Sequence, residues 1–350
     1  MNSLLFTINA ILPILIPILV GYLLKRMGFF KEGFLDGANK LVFKVLLPVL
    51  LFSNLYLADL KDINWRFCGF AALSILVLFG VGLIIVLFFK DPKQKGVILQ
   101  ATFRSNYAII GIPLAVLLAG EIAGAQASIV AAISVPIFNI LAVIALSIFD
   151  KGEDNKISPL KILKNIATNP LIIGVVSGVV VCLIGMGIDN LTGISGTLKS
   201  VFTNFDMTEN GKVITDNQKY GLVDLSFVGT TINYIGRCAT PIALIVLGGK
   251  FEFSAVKELW PQLLVTVTLR LIITPTIFLV IFYFLGYKDA SSFAILIALF
   301  ATPIAVSSAP MAQQMGQDDR LAGQIVVWTS ALSSISLFLI ILTCTLIGIF

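Results

Sequence analysis

Four basic side chains fall inside long apolar stretches of this 350-residue chain: Lys44, Arg104, Arg237 and Arg270. None of the nineteen Asp and Glu shares the middle of such a stretch, and Asp59 and Asp224 come nearest. A guanidinium in an apolar medium is costly unless it meets water, carbonyl groups or an anion. The chemistry on offer is therefore recognition of negative charge. Arg104 stands in the run Phe103-Arg-Ser-Asn106-Tyr107-Ala-Ile-Ile-Gly111-Ile-Pro113, and a second run reads Phe300-Ala-Thr302-Pro303-Ile-Ala-Val-Ser307-Ser308-Ala-Pro310-Met. Both combine helix-interrupting residues with amide or hydroxyl side chains. Proline lacks an N–H and clashes with the preceding turn, at a cost of about 3 kcal/mol in a helix interior. Gly111, two residues ahead of Pro113, is expected to let the chain turn before a new half-helix begins with proline in its first turn. Such a break leaves N–H groups on one half-helix, suited to an anion, and C=O groups on the other, suited to a cation. Asn106, Ser307 and Ser308 add donors beside the breaks. The same prolines could simply kink packed helices, but their presence in both runs favours breaks. Arg104 and Arg237 are candidates for a substrate or gating role. Arg270 could instead tie its helix to helix-end carbonyls. Lys44, one turn from Lys40, is expected to reach the surface.

Several chemistries are excluded at once. The chain has no histidine, which removes catalytic triads, histidine-zinc centres and imidazole relays. A serine protease would need a His or Lys base, an aspartyl protease two membrane aspartates, and a primary pump a GxxxxGK[ST] loop; none is present. The reading is that of a non-enzyme without cofactor. Cys68, Cys182, Cys238 and Cys344 sit in apolar runs without CxxC spacing and are expected to be small buried hydrophobes.

The elements that must position these residues are membrane helices. Hydrophobic residues make up 58% of the chain and charged residues only 12%, against about 25% charged in soluble domains. Segments of about 20 apolar residues are needed to cross a bilayer. Ten are found, at roughly 4–24, 38–58, 66–89, 97–119, 122–149, 168–187, 228–249, 259–286, 291–316 and 321–349. The first is followed, not preceded, by Lys25 and Arg26, unlike a cleaved signal. Placing the N-terminus outside puts fourteen of the 24 Lys and Arg in cytoplasmic loops and six outside, with four inside spans. That asymmetry satisfies the positive-inside rule and accounts for the net charge of +5 without a nucleic-acid partner. The expected placement is the cell inner (plasma) membrane with both termini external.

The spans fall into two sets of five. Pro17-x-x-x-Gly21 in span 1 matches Pro170-x-x-x-Gly174 in span 6, Pro48 matches Pro241, and Pro113 matches Pro310. An Ala-Gly step opens the span that follows each of the last two, Ala123-Gly124 and Ala322-Gly323. The matching offsets are 153, 193, 197 and 199 residues, and the single jump falls in a polar stretch after span 6. Its Asn210-Gly211 step reads as a hairpin turn, so an external hairpin insert is expected at about 190–222. The expected fold is all-α, polytopic, with ten transmembrane helices as two inverted five-helix repeats and broken, crossing helices 4 and 9. The first repeat covers 1–149, a cytoplasmic linker 150–167, and the second repeat 168–349. Transporters built this way bind substrate at the midplane between discontinuous helices in matching positions.

These stretches carry a family resemblance. Asn39-Lys-Leu-Val-Phe with Pro48, Arg104-Ser-Asn106-Tyr107 with Gly111-Ile-Pro113, Asn169-Pro170-Leu-Ile-Ile-Gly174, Ala239-Thr-Pro241 with Gly248, and Ser308-Ala-Pro310 together resemble the auxin efflux carrier family. That family includes bacterial carriers associated with malate or malonate. The resemblance implies a scaffold of spans 1, 2, 6 and 7, a transport part of spans 3–5 and 8–10, and substrate at the crossing of spans 4 and 9. It also implies that Asn106 contacts a substrate carboxylate, and it is compatible with a homodimer through the scaffold. The polar insert and Arg237 depart from the family pattern. The expected function is an elevator-type secondary transporter of a small organic anion such as a mono- or dicarboxylate. Its candidate binding residues are Arg104, Asn106, Tyr107, Gly111, Pro113, Arg237, Ser307, Ser308 and Pro310. The alternative is a membrane sensor or channel-like binder of a small solute. Three coupling schemes stay open: H+ through Asp59, Na+ on carbonyls with Asn and Ser, or uniport driven by membrane potential.

Overall fold

The computed structural model describes residues 2–31, 33–56, 64–149, 159–192, 194–195, 201–202, 207–209, 212–214 and 225–350. Asp59, the Asn210-Gly211 step and the first half of the linker lie outside them. The described residues are almost wholly helical. Seven helical segments are long and apolar enough to cross a membrane: Trp65–Phe88, Pro92–Gly120, Ile122–Ser147, Pro170–Thr192, Ser226–Lys250, Ala255–Phe284 and Asp319–Leu346. The other three stretches expected as spans are helical but fall outside that set. Span 1 is the 25-residue helix Asn2–Arg26. Span 2 falls within the helical stretch from Phe34 to Leu55, which has a π-helical turn in the middle. Span 9 is divided into Ala290–Phe300 and Ser308–Gln314. Leu73, Leu76, Ile84, Ile173, Val176, Ile277 and Leu339 stand exposed on the outer surface of these helices, as a bilayer environment permits and water does not.

The helices pack in two groups. In one, Asn2–Arg26 lies along Ala239–Lys250, and Leu47–Leu55 lies along both Pro170–Thr192 and Ser226–Arg237. In the other, Ala290–Phe300 packs on Ile112–Ser147, Trp65–Ile85 on Pro92–Phe103, and Asp319–Leu346 on Ala255–Thr268 and Ser308–Gln314. Helix Asn2–Arg26 also touches Asp319–Leu346 and so bridges the groups.

Glycine explains the closeness of the first group. A Cβ on Gly21 would stand 2.0 Å from the Ile245 carbonyl oxygen, and one on Gly248 would stand 1.9 Å from that of Ile18. The other P-x-x-x-G glycine behaves alike, since a Cβ on Gly174 would meet the Pro48 carbonyl oxygen at 2.5 Å. Small residues of this kind let membrane helices approach backbone to backbone, where lipid provides no hydrophobic drive for association.

Proline acts differently from expectation in span 4. The helix does not break at Gly111-Ile-Pro113: Gly111 has helical angles, φ −66° and ψ −48°. A π-helical turn at Tyr107–Gly111 runs straight into the following helix. The same device recurs at Val42–Leu46 before Pro48 and at Leu269–Ile273 before Pro275. In each case proline stands six residues after the first residue of the π turn. Widening the turn separates the proline ring from the carbonyl four residues back, where an α-helix would clash. The break in span 4 comes earlier, at Arg104–Asn106, where Arg104 is extended with ψ 125°. In span 9 it comes at 301–307, beside Pro303, within the expected run.

The polar stretch after span 6 holds three short strands, β1 (Ile194–Ser195), β2 (Met207–Glu209) and β3 (Lys212–Ile214). They pair antiparallel in the order β1-β2-β3, with Glu209 opposite Lys212 on either side of the Asn210-Gly211 step. The four cysteines form no disulfide with one another, but Cys238 is exposed, contrary to the expected burial of all four. It is the single residue between Ser226–Arg237 and Ala239–Lys250.

Candidate functional site

The two breaks lie against each other. The Asn106 N–H donates to the Pro303 carbonyl oxygen at 2.8 Å, and the Ser105 and Thr302 hydroxyls are 2.6 Å apart. Each irregular segment thus supplies partners for the polar backbone that the other leaves open, which is the condition for non-helical chain at membrane depth. Gly111 supports the crossing through its size, because a Cβ there would stand 3.0 Å from the Ala298 carbonyl oxygen.

Beside the crossing is a cavity of about 60 Å³, lined by Arg104, Ser105, Asn106, Ala108, Ile109, Asn139, Ser307 and, from the other helix group, Asn54 and Thr240. By the ~10–15 Å³ that one water needs, it holds a few waters or one small polar group. Arg104 is 2% exposed. Its Nη2 donates to Asn139 Oδ1 at 2.9 Å and to Ser307 Oγ at 2.7 Å, while Nη1 donates to Met311 Sδ at 3.0 Å. Among the described residues every partner of this cation is neutral. Asn106 is 3% exposed, and its Nδ2 has no partner. The hydroxyl of Ser308, at the start of the second half of span 9, is likewise buried and unpaired. The first N–H groups of the half-helix that begins at Tyr107 have no intrahelical acceptor. Ala108 and Ile109, in that first turn, line the cavity. One buried cation, an unpaired amide and a helix N-terminus therefore converge without a resident negative charge.

The other candidates are placed elsewhere. Tyr107 is buried and donates to the Ala127 carbonyl oxygen at 3.0 Å, a packing role. Pro113 is exposed on the outer face, and so is Arg237, and neither lines the cavity. Arg237 follows the buried Gly236, which lies against Leu50, and one residue along a helix rotates the side chain about 100° away from that contact. Pro310 lines a second, larger cavity. Arg270 donates to carbonyls of span 9, the alternative role anticipated for it. Lys44 is exposed, as expected. Asn54, Asn139 and Thr240 escaped notice in the sequence. Asn139 had a readable signal, since Val135, Ala142 and Val143, its helical neighbours at three and four residues, are all apolar and buried.

The larger cavity, about 450 Å³, opens at the end of the bundle that carries Lys25, Lys31, Lys250 and Arg320, and shares Ala243 with the small one. The two helix groups meet across it through polar contacts. Lys250 Nζ lies 2.7 Å from Asp36 Oδ1 and 3.4 Å from Asp319 Oδ2. Gln313 Nε2 donates to Asp36 at 2.7 Å, and Asn39 donates to Gln313 Oε1. These hydrogen bonds, first that from Lys250 and then that from Gln313, with the Lys250 charge behind them, hold the Asp36 carboxyl below its ordinary value of 3.8. A depressed carboxyl contributes stability above its unfolded pKa and loses it as pH falls through the folded one. The contact is therefore constant from pH 7 to 5 and is lost only below about 3.8. Being exposed, it is worth no more than about 1 kcal/mol. Asp36→Asn is expected to lower the thermal midpoint slightly at neutral pH and to remove the fall that begins below about pH 3.8, so that the two proteins converge in acid.

A polytopic helical membrane protein, with two interrupted helices crossing at a buried polar cavity, is the architecture of a transporter. The comparison with known proteins gives the family: residues 6–341 match the membrane transport protein family, and the chain belongs to it. This is the auxin efflux carrier group that the motifs resembled. A protein of Methanothermobacter thermautotrophicus described as an uncharacterized transporter is 22% identical over 336 residues, covering 94% of this chain and 95% of its own.

Proposed function

We propose that the protein is a secondary transporter of a small organic anion, a mono- or dicarboxylate, bound where spans 4 and 9 cross. The observation that carries this reading is Arg104, a buried guanidinium with only neutral partners, in one cavity with the unpaired amide of Asn106. A carboxylate there would accept from Asn106 and from the first N–H groups of the half-helix at Tyr107, and would neutralise the cation. Charge-assisted bonds of this kind are each worth about 1.5–3 kcal/mol.

The ten-span inverted repeat is supported by equivalences 197 or 198 residues apart. Asp91 caps the first half of span 4 and Asp289 the first half of span 9, each accepting from a backbone N–H within the first turn. Asn106 and Pro303 join the two breaks. The two packing groups coincide with spans 1, 2, 6 and 7 and spans 3–5 and 8–10, which fits a scaffold and a moving body in an elevator cycle. The positive-inside count supports an orientation with the 450 Å³ cavity on the cytoplasmic side of the plasma membrane and both termini outside. In that orientation the larger cavity opens toward the cytoplasm, and the Asp36–Lys250–Asp319 contacts join the two helix groups beside it.

Binding tests the site directly. Purified protein titrated with malate, malonate, lactate and acetate should gain thermal stability as RT ln(1 + [L]/Kd) with at least one of them. Asn106→Ala should lose that gain, by about tenfold or more in Kd, while keeping the ligand-free midpoint, since the amide packs against nothing that it hydrogen-bonds. Full ligand stabilisation of Asn106→Ala would refute the site.

A further inference from the structure

Arg270 is the second fully buried guanidinium, and the anion cavity does not include it. It sits in the π-helical turn Leu269–Ile273 that accommodates Pro275. From there Nε donates to the Thr302 carbonyl oxygen at 2.9 Å and Nη2 to that of Leu299 at 3.1 Å. Nη1 is buried and unpaired. Leu299 belongs to the last turn of Ala290–Phe300 and Thr302 to the break that follows it. The final carbonyls of a helix have no intrahelical donor and carry the negative end of its dipole. A permanent cation therefore rests on the carbonyl end of a discontinuous helix, where transporters of this construction seat a coupling cation. It also bears on the anion cavity. The Thr302 carbonyl that it holds is followed by the Pro303 carbonyl, which receives the Asn106 N–H, and Asn106 lines the cavity.

We propose that Arg270 is the built-in cation of this carrier: it occupies the seat at the end of Ala290–Phe300 that a sodium ion would otherwise fill, so anion binding requires no sodium. Arg270 is then a positioning residue, acting on Asn106 through Thr302 and Pro303. The proposal rests on the anion-carrier reading for its transport consequence and on the carbonyl seat alone for its structural one, and the two can be measured separately.

Wild-type exchange and wild-type thermal midpoint should both be unchanged when sodium is replaced by choline at constant ionic strength. Arg270→Ala should lower the midpoint by several degrees and exchange at least tenfold. Guanidinium ion at tens of millimolar should restore part of both, whereas urea at the same concentration should not. Arg270→Met fills most of the volume without the charge, so it should fail like Arg270→Ala and resist rescue. Arg270→Lys should retain more activity than either. Sodium-dependent binding in the wild type, or wild-type behaviour of Arg270→Met, would overturn the proposal. If no acid exchanges at all, the anion reading fails. Guanidinium-specific recovery of the Arg270→Ala midpoint would still support the resident cation, and its absence there would overturn it.

Discussion

Replacing Arg104 with Gln is expected to weaken anion binding by about 10- to 100-fold, the equivalent of one lost charge-assisted contact at ~1.5–3 kcal/mol. The glutamine amide can still donate to Asn139 Oδ1 or Ser307 Oγ, the present acceptors of the guanidinium, so the protein should fold. Ligand-free stability should change little or rise, because the variant no longer buries a charge whose partners are all neutral. That combination, weaker binding with undiminished stability, separates a ligand-directed arginine from a structural one. Arg104→Lys should recover little, because an ammonium cannot span Asn139, Ser307 and Met311 in the planar fork that the guanidinium uses. The check is Kd by isothermal titration with the responsive acid, beside the ligand-free thermal midpoint. Equal Kd values for wild type and Arg104→Gln would remove Arg104 from the site.

The second large effect concerns the crossing of Asn2–Arg26 and Ala239–Lys250. Gly248→Leu must place a Cβ where the Ile18 carbonyl oxygen leaves 1.9 Å, and Gly21 has the same limit against Ile245. Backbone cannot yield there without separating the two helices along their length. Overpacking in cores costs about 1–3 kcal/mol and more when backbone is the obstacle. Gly248→Leu should therefore yield little monodisperse protein in detergent, with a midpoint lowered by many degrees. Gly80→Ala is the contrast, since nothing stands within 4 Å of its Cβ position and alanine is favoured over glycine in a helix by about 0.5–1 kcal/mol. It should be neutral or mildly stabilising. Size-exclusion profiles and thermal midpoints of the three proteins decide the matter.

The sequence made the apolar spans, their interrupted members and the paired glycines readable, because each rests on a local rule of length, hydropathy or side-chain size. Gly21 and Gly174 illustrate it: a repeated P-x-x-x-G became two close backbone approaches of the same kind. Proline was less transparent. Pro113 signals that the α-helical ladder cannot continue unchanged, but two solutions meet that requirement. The chain uses a π turn at Tyr107–Gly111 and breaks at Arg104–Asn106 instead. Residue type alone does not distinguish a widened turn from a broken one. Arg237 misled for a related reason. Its depth in the sequence suggested an interior charge, but the facing of a helix is set by what it packs on, here Gly236 against Leu50. Asn54 and Asn139 reach the cavity from two different helix groups, so only the tertiary arrangement brings them together.

The central claim is that this crossing carries a small organic anion across the membrane by alternating access. Counterflow tests it most directly: proteoliposomes loaded with unlabelled mono- or dicarboxylates are diluted into labelled malate, and entry is followed over time. The account predicts saturable, transient accumulation of label, accelerated by at least one loaded acid and abolished by Asn106→Ala. Saturable binding of an acid without accelerated exchange would contradict it, and would identify the protein as a membrane sensor that binds the anion without moving it.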